Sequence, residues 1–435
     1  MDSYRCHPVS APLDATVVLP GSKSITNRAL ITAALADGTS LLTGALLAED
    51  TRLMINALRE LDIAVTIDQD DNGIEVTGCH GHIPREHGRL DCGNAGTVMR
   101  FCAALTALGH GRYELDGTPR MRERPIGELA DALRALGAGV EYTGEDGYPP
   151  LTIHAKGLRG GEVALRSPAS SQFVSAILLV TPLAMRDVLI DVTGAVPSVP
   201  YLKITAAVMQ DFGVSVVDQY EANRARFIVP APQRYRPATH RIEPDASNAS
   251  YFLAAPAVAG GRLTVEGLGT NSIQGDVGFV DVLEQMGCTV QRHPDRLSVT
   301  GPAEGQPLRG VDVDLNHMPD TVQTLAVIAS LAEGPTMIRN VGNLRIKETD
   351  RLTALNRELT KLGATVEESA DSLRIIPPNA PVPAELETYN DHRMAMSFAV
   401  LGLKCPGLVI KDPDCCAKTF PDFFERFEKL TTGAS

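Results

Sequence analysis

No run of about 18 apolar residues occurs in this 435-residue chain, so the sequence offers no membrane-spanning helix. The start, MDSYRCHPVSAP, lacks the basic stretch and apolar core of a secretory signal. The eight cysteines are scattered and form no C-x-x-C pair; without an export signal they are expected as reduced thiols in a cytosol, not as a disulfide framework. Positive charge is in short supply, with 40 Lys and Arg against 53 Asp and Glu and a net charge of −13. That balance argues against general affinity for nucleic acid or an anionic membrane. Cofactor signatures are missing as well. No G-x-G-x-x-G follows a strand, and nothing points to pyridoxal, flavin or nicotinamide. GSKS ends like a P-loop, but Ser22 precedes Lys23 and Thr16 stands where the upstream Gly is needed. Cys79, His80, His82 and His87 crowd into CHGHIPREH with no matching second half, and read as a surface loop. The expectation is therefore no metal and no cofactor.

What the chain has is repetition. A small polar cluster, an apolar helical stretch, a Gly- or Pro-marked break and an apolar strand recur in that order. The copies begin at GSKSITNRAL (Gly21), CGNAGTVMR (Cys92), SPASSQFVS (Ser167), EPDASNASY (Glu243), HMPDTVQTL (His317) and NDHRMAMSF (Asn390). Their separations are 71, 75, 76, 74 and 73 residues. A second, amphipathic helix follows each, as in RLTALNRELTKLGATV, where Leu352, Leu355, Leu359 and Leu362 make one helical face. The LGA, FGV and MGC endings place Gly where a helix C-terminus wants positive φ. The pattern predicts an α/β chain of six βαβαββ units. At about 150 residues per domain, the length suits two or three domains, and the repeat alone leaves open one ring or two groups of three. The TVVLPG strand precedes the first cluster, so the N-terminal strand is expected to pair with the last unit.

Each polar cluster supplies candidate helix caps: Ser24, Asn94, Ser170 and Ser171, Asp245, Asp320 and Asp391. A helix start carries unpaired N–H groups and partial positive charge, so several facing one cleft would trap anions. Ordinary capping is the plainer reading, above all for Asp245. The cations favour function. Lys23, Arg28, Arg100, Arg120, Arg122, Arg124, Lys347, Arg351, Arg393 and Lys418 recur at these motif starts or in loops beside them, in an otherwise acidic chain. Arg grips carboxylate and phosphate with two parallel hydrogen bonds, and Lys acts as a mobile point charge. Two acids stand out: Asp320 in NHMPD and Glu348 in KETDR. Glu348 reads either as an i,i+3 surface pair with Arg351 or as a proton-transfer group tuned by cations.

These residues lie in LPGSKSITNRAL, CGNAGTVMR, DGTPRMRERP, NSIQGD, NLRIKETDRL, YNDHRMAM and AKTFPDFF, and together they resemble the 3-phosphoshikimate 1-carboxyvinyltransferases, or EPSP synthases, of the enolpyruvyl transferase family. The resemblance spans nearly the whole chain. It implies a two-domain inside-out α/β barrel of six βαβαββ units, with residues 22–243 in one domain and 1–21 plus 244–435 in the other, and an active site in the cleft between them. It implies transfer of the carboxyvinyl group of phosphoenolpyruvate to the 5-hydroxyl of shikimate 3-phosphate by addition and elimination. On this pattern Lys23, Ser24, Arg28, Ser170, Ser171, Gln172, Ser198, Tyr201, Asp320, Asn343 and Lys347 bind shikimate 3-phosphate. Lys23, Asn94, Gly96, Thr97, Arg124, Gln172, Arg351, His392, Arg393 and Lys418 bind phosphoenolpyruvate. Asp320 is the base for the hydroxyl, Glu348 the proton donor at C3, and Lys23 shares the proton traffic. The resemblance also implies a cytoplasmic monomer inhibited by glyphosate in competition with phosphoenolpyruvate. One departure is Phe101, where the family usually has Pro; it is expected to bear on the helix carrying Gly96 and Thr97, and so on the inhibitor.

Three rival readings fit the sequence less well. The sister transferase acting on UDP-N-acetylglucosamine typically has Lys-Asn early and a Cys in its mobile loop; here the pair is Lys23-Ser24, and Pro119 to Pro125 contains no Cys. An RNA-end cyclase is opposed by the acidic balance and the lack of basic residues interleaved with aromatics. A silent anion-binding scaffold would be expected to have lost Asp320, Glu348 or Lys23.

Overall fold

The computed structural model describes residues 2–68 and 73–432. The chain divides into two compact units, Gly21–Ile242 and Met1–Pro20 with Glu243–Ser435. They are taken in turn as the first and second unit.

The first unit carries helices α1 (Lys23–Leu35), α2 (Glu49–Glu60), α3 (Gly96–Ala107), α4 (Gly127–Ala135), α5 (Ser171–Val180) and α6 (Val199–Asp211). Two kinds of helix alternate. The first, third and fifth are almost wholly buried: every residue of α3 is, and in α5 only Gln172 is not. A helix apolar all round belongs inside a protein, and the polar groups it carries must find partners there. They do: Asn27 Nδ2 donates to Thr97 Oγ1 at 2.8 Å, tying α1 to α3. By contrast α2 buries Met54, Ile55, Ala57 and Leu58 on one face and leaves Arg52 exposed on the other.

Three four-stranded sheets belong to this unit, and each has the same internal order. Thr239–Arg241 runs parallel to Thr39–Thr43, which pairs antiparallel with Gly73–Thr77 and that with Ala64–Asp68. His87–Asp91, His110–Asp116, Leu151–Lys156 and Gly139–Tyr142 repeat the scheme. So do Gly161–Arg166, Val188–Thr193, Arg224–Val229 and Val217–Glu221. Alternate residues point one way along a strand. Val188, Ile190 and Val192 are fully buried, and Ile190 lies opposite Val163 and Phe227 in neighbouring strands.

The second unit carries α7 (Ala246–Ala259), α8 (Phe279–Gln285), α9 (Val322–Ala329), α10 (Arg351–Lys361), α11 (His392–Gly402) and α12 (Phe423–Thr432). Again the odd-numbered helices α7, α9 and α11 are buried nearly throughout. Ser250 and Thr324 hydroxyls, 2.8 Å apart, join the first two. Two sheets repeat the strand order of the first unit, from Leu13–Val18 parallel to Gly261–Glu266 and from Asp312–Asp314 parallel to Thr336–Arg339. The third is three-stranded: Val409–Lys411 runs parallel to Glu385–Leu386 and antiparallel to Ser3–Arg5.

Two expectations are corrected here. The TVV strand pairs with Gly261–Glu266 and not with the last unit; Gly261–Glu266 gives its other edge to Arg296–Thr300, and Ser3–Arg5 is the segment that completes the last sheet. The caps also shift. Ser22, not Ser24, caps α1, because the helix has already begun at Lys23 and the Ser22 hydroxyl accepts from Ile25 N. Asn94 does not cap α3, whose N-cap is Ala95. Asp320 sits inside a 3₁₀ turn, Pro319–Thr321, that leads into α9. Ser170, Asp245 and Asp391 cap α5, α7 and α11 through their side chains. Among the described residues, no helix is long and apolar enough to cross a membrane.

Candidate active site

In the first unit the polar residues gather at the starts of α1, α3 and α5. Lys23 opens α1, and its Nζ lies 3.2 Å from Asp50 Oδ2 in the first turn of α2. Arg28, one turn further along, is buried. Its Nε donates to Thr205 Oγ1 at 2.7 Å, Nη1 to the Ser24 carbonyl at 2.9 Å, and Nη2 to Ser175 Oγ at 3.1 Å and the Tyr201 carbonyl at 3.3 Å. Its guanidinium also lies 5.3 Å from the centre of the Phe101 ring. Burial pulls its pKa down, to about 10, with the Tyr201 hydroxyl opposing, so it remains a cation at neutral pH. Its partners are hydroxyls and carbonyls, so this cation fixes the Ser24 and Tyr201 backbones from within. Phe101 is itself buried in a regular α3.

The loop PRMRERP separates three arginines that look alike in sequence. Arg122 makes a two-pronged pair with Asp116 (2.9 and 2.6 Å), and Arg120 pairs with Glu123 at 2.8 Å, on the surface. Arg124 turns inward and is 3% exposed, donating to the Asn94 carbonyl at 2.8 Å and to Asn94 Oδ1 at 3.2 Å. Arg100 holds this loop in place by donating to the Pro125 carbonyl at 2.8 Å. Gly96 leaves room for the arrangement. A Cβ there would lie 2.5 Å from Arg124 Nη2 and 3.0 Å from Gln172 Oε1, so the starts of α3 and α5 converge at this spot. Ser170 accepts from Gln172 N at 3.2 Å, and the Glu128 carboxylate accepts from Ala169 N at 3.3 Å just before it. Ser171 opens α5, while Ser198, in the left-handed region at φ 48°, precedes α6 and Tyr201 stands in its first turn.

In the second unit the acids and cations meet directly. Arg351, 1% exposed at the first position of α10, reaches three carboxylates. Its Nε donates to Asp391 Oδ2 at 2.7 Å, its Nη1 to Asp320 Oδ1 at 3.1 Å and its Nη2 to Glu348 Oε2 at 3.0 Å. Arg393 completes the network, donating to Asp320 Oδ2 at 2.8 Å and to Tyr251 Oη at 3.2 Å. Burial alone would lower the pKa of Arg351, but Asp391, Glu348 and Asp320 outweigh it and hold the group above its ordinary value. Burial raises the Tyr251 hydroxyl, so it stays protonated beside Arg393. Glu348 does pair with Arg351 three residues on, yet the pair is buried and Glu348 precedes the helix; the surface-helix reading is corrected. Asn343 stands in the 3₁₀ turn Gly342–Ile346 and Lys347 just after it. The Asn343 Oδ1 is buried without a hydrogen-bond partner among the described residues. His392 is fully buried at the first position of α11. Lys418 ends the 3₁₀ helix Pro413–Lys418 and is 5% exposed.

The sequence did not single out Asp50, Tyr251 or Asp276 as functional, and it treated Asp391 as a cap alone. Asp391 follows Asn390 in a motif rich in polar residues, which is a signal of a kind. For Asp50 and Tyr251 no local signal exists, because their partners are 27 and 142 residues away in sequence.

These features define a class before they define a family. The EPSP synthase from Acinetobacter baumannii superposes with a TM-score of 0.79 at 25% identity, covering 100% of this chain and 98% of that one. The enolpyruvyl transferase NikO from Streptomyces tendae shares the fold, with a TM-score of 0.76 at 19% identity over 98% of this chain and 97% of its own. The fold is thus a mixed α/β fold of enolpyruvyl transferase type. The family model for EPSP synthase (3-phosphoshikimate 1-carboxyvinyltransferase) matches residues 9–427, and the chain belongs to that family. Relatives carrying the name 3-phosphoshikimate 1-carboxyvinyltransferase include that of Nostoc punctiforme, 48% identical over 431 residues and covering 99% of both chains. That of Shewanella sp. (strain W3-18-1) is 49% identical over 433 residues, covering 99% of this chain and 100% of its own.

Proposed function

We propose that the two polar clusters serve one reaction, transfer of the carboxyvinyl group of phosphoenolpyruvate to the 5-hydroxyl of shikimate 3-phosphate, a step of aromatic amino acid biosynthesis. Family membership supports it, and one observation in this chain carries the assignment of roles: Asp320 and Glu348, acids from separate motifs, meet on the guanidinium of Arg351. The reaction needs a proton delivered to C3 of phosphoenolpyruvate while the 5-hydroxyl attacks C2. It then needs a C3 proton removed as phosphate leaves. One acid or base near each reacting atom suffices. On this reading Asp320 takes the hydroxyl proton and Glu348 delivers the proton to C3. Arg351's shared grip orients both side chains, Glu348 in the protonated form a donor needs, and Lys23 joins the proton traffic.

Anion binding follows from the cations. Arg124, Arg351, Arg393, Lys418 and Lys23 offset the carboxylate and phosphate of phosphoenolpyruvate and the charge of the tetrahedral intermediate. Asn94, Gly96, Thr97, Gln172 and His392 border that ligand. Ser24, Arg28, Ser170, Ser171, Gln172, Ser198, Tyr201, Asn343 and Lys347 are assigned with Lys23 and Asp320 to shikimate 3-phosphate. Arg28 acts there from beneath, because its own hydrogen bonds are internal. The finer architecture belongs to the same proposal: six βαβαββ units in two three-unit domains, 22–243 and 1–21 with 244–435, forming an inside-out barrel. The recurring strand order supports it. A cytoplasmic monomer, competitively inhibited by glyphosate, completes the reading. The sister reaction on UDP-N-acetylglucosamine is not favoured.

Steady-state phosphate release tests the reading. Phosphate should appear only when phosphoenolpyruvate and shikimate 3-phosphate are both present. Release with UDP-N-acetylglucosamine in place of shikimate 3-phosphate would overturn it.

A further inference from the structure

We propose that Glu358 and Tyr389 are positioning residues for the Arg351–Asp391–Arg393 network, holding the turn that delivers Asp391 and Arg393 to it. The proposal rests on the reading of that network as the site of phosphoenolpyruvate chemistry.

Glu358 is anomalous where it lies. The buried face of α10 comprises Arg351, Leu352, Ala354, Leu355, Glu358 and Leu359, so the carboxylate occupies a place made for an apolar side chain and is fully buried. A buried carboxylate persists only when its oxygens are well satisfied. Glu358 has three donors: Tyr389 Oη at 2.6 Å, Lys361 Nζ at 2.7 Å and the Glu387 backbone N at 3.0 Å. Two of these belong to the segment between the strand Glu385–Leu386 and α11.

That segment has an unusual backbone. Tyr389 and Asn390 both adopt positive φ, 55° and 53°, and neither is glycine. Consecutive left-handed non-glycine residues persist only where the surroundings over-determine them. The turn they make closes with Asp391 N on the Thr388 carbonyl at 2.9 Å and sets Asp391 as the cap of α11. Asp391 then chelates Arg351 and accepts from Arg393 N at 2.9 Å. Arg351 and Glu358 are seven residues apart on α10, about two helical turns or 10 Å. One helix face therefore grips the turn at both ends, through Arg351 on Asp391 and through Glu358 on Tyr389. Burial and the adjacent carboxylate push the Tyr389 hydroxyl up to about 12, so it remains a donor throughout the working range.

The test compares Glu358→Gln, Tyr389→Phe and their double variant in steady-state kinetics, with Lys361→Met as control. Lys361 pairs with Glu358 from a half-exposed position and leaves the Tyr389 bond untouched. Each single variant is expected to raise KM for phosphoenolpyruvate about 10-fold, the equivalent of about 1.4 kcal/mol. KM for shikimate 3-phosphate should change much less. The double variant should be no worse than the poorer single, because both act on the shared Tyr389–Glu358 contact. Lys361→Met should raise KM for phosphoenolpyruvate less than either single, because Glu358 Oε2 keeps the Glu387 backbone N and Oε1 keeps Tyr389. Wild-type KM in both singles, additive losses in the double, or an equal rise in KM for both substrates would overturn the proposal. A wild-type protein that released no phosphate from the two substrates would instead overturn the functional reading beneath it.

Discussion

Asp276 is buried beside Ser247, whose hydroxyl donates to it, in the NSIQGD segment of the second unit. Burial first, and then the charge of Asp320, push its carboxyl up to about 7, against the lowering effects of Ser247 and Arg393, with Asp245 adding a further rise. In the unfolded chain the group titrates near about 3.9. Between these values the native state keeps a proton that the unfolded chain has lost, so stability falls as pH rises from about 4 to about 7 and stays lowered above. Asp276→Asn removes that titration. Its Tm relative to wild type should therefore improve between about pH 5 and about pH 8. A difference that stays constant across that range would show that Asp276 is not held protonated. The two acids on Arg351 carry a second expectation. Asp320→Asn and Glu348→Gln keep shape but cannot exchange the proton, and should lower kcat by about 10²–10⁴ with a smaller effect on binding. Asp320→Asn should also weaken phosphoenolpyruvate binding more than Glu348→Gln does, because Asp320 orders both Arg351 and Arg393. Wild-type kcat in either variant would reduce that residue to a structural ion pair.

At the scale of elements, the proposed assignment puts a small anion at the start of α3. Gly96→Ala would drive a methyl into the guanidinium of Arg124, 2.5 Å from Nη2, and toward Gln172. Arg124 cannot simply swing away, because Asn94 fixes it by two hydrogen bonds. Misplacing a positioning group by about 1 Å can cost up to about 10² in rate. The variant should show a higher KM for phosphoenolpyruvate and a still larger loss of glyphosate inhibition, read from competitive inhibition curves. Equal inhibition constants in variant and wild type would remove Gly96 from the site. The buried Phe101, packed under Arg28 within a regular helix, is part of the core of this element. Such elements were largely legible beforehand. Small and capping residues ahead of an apolar run mark a helix start wherever the chain folds, and all six marked starts lead into the buried helices. Cap identity was less legible, because Ser22 and Ser24 carry the same hydroxyl and only the backbone path chooses between them. In PRMRERP the three arginines are equivalent by composition. Asp116 and Glu123 claim two of them, and that is settled by folding.

Over the whole molecule, two separate cores form, one wholly within Gly21–Ile242 and one drawn from the two chain ends. A net charge of −13 leaves an anionic substrate no general attraction, so binding must be built locally. The cations sit at helix starts in one unit and on a carboxylate network in the other. Sequence spacing exposed the cations, but the acids that order them, Asp50, Asp391 and Glu358, were invisible as such, since a carboxylate reads alike on a surface and in a core. The central claim is that this chain adds a proton to C3 of phosphoenolpyruvate, joins C2 to the 5-hydroxyl of shikimate 3-phosphate, and then removes a C3 proton with phosphate. The most direct test runs the reaction in deuterium oxide and analyses the product by mass spectrometry and proton NMR. The account predicts 5-enolpyruvylshikimate 3-phosphate carrying deuterium in its vinyl group, formed in step with phosphate. Product with no vinyl deuterium, or phosphate released without that product, would contradict it.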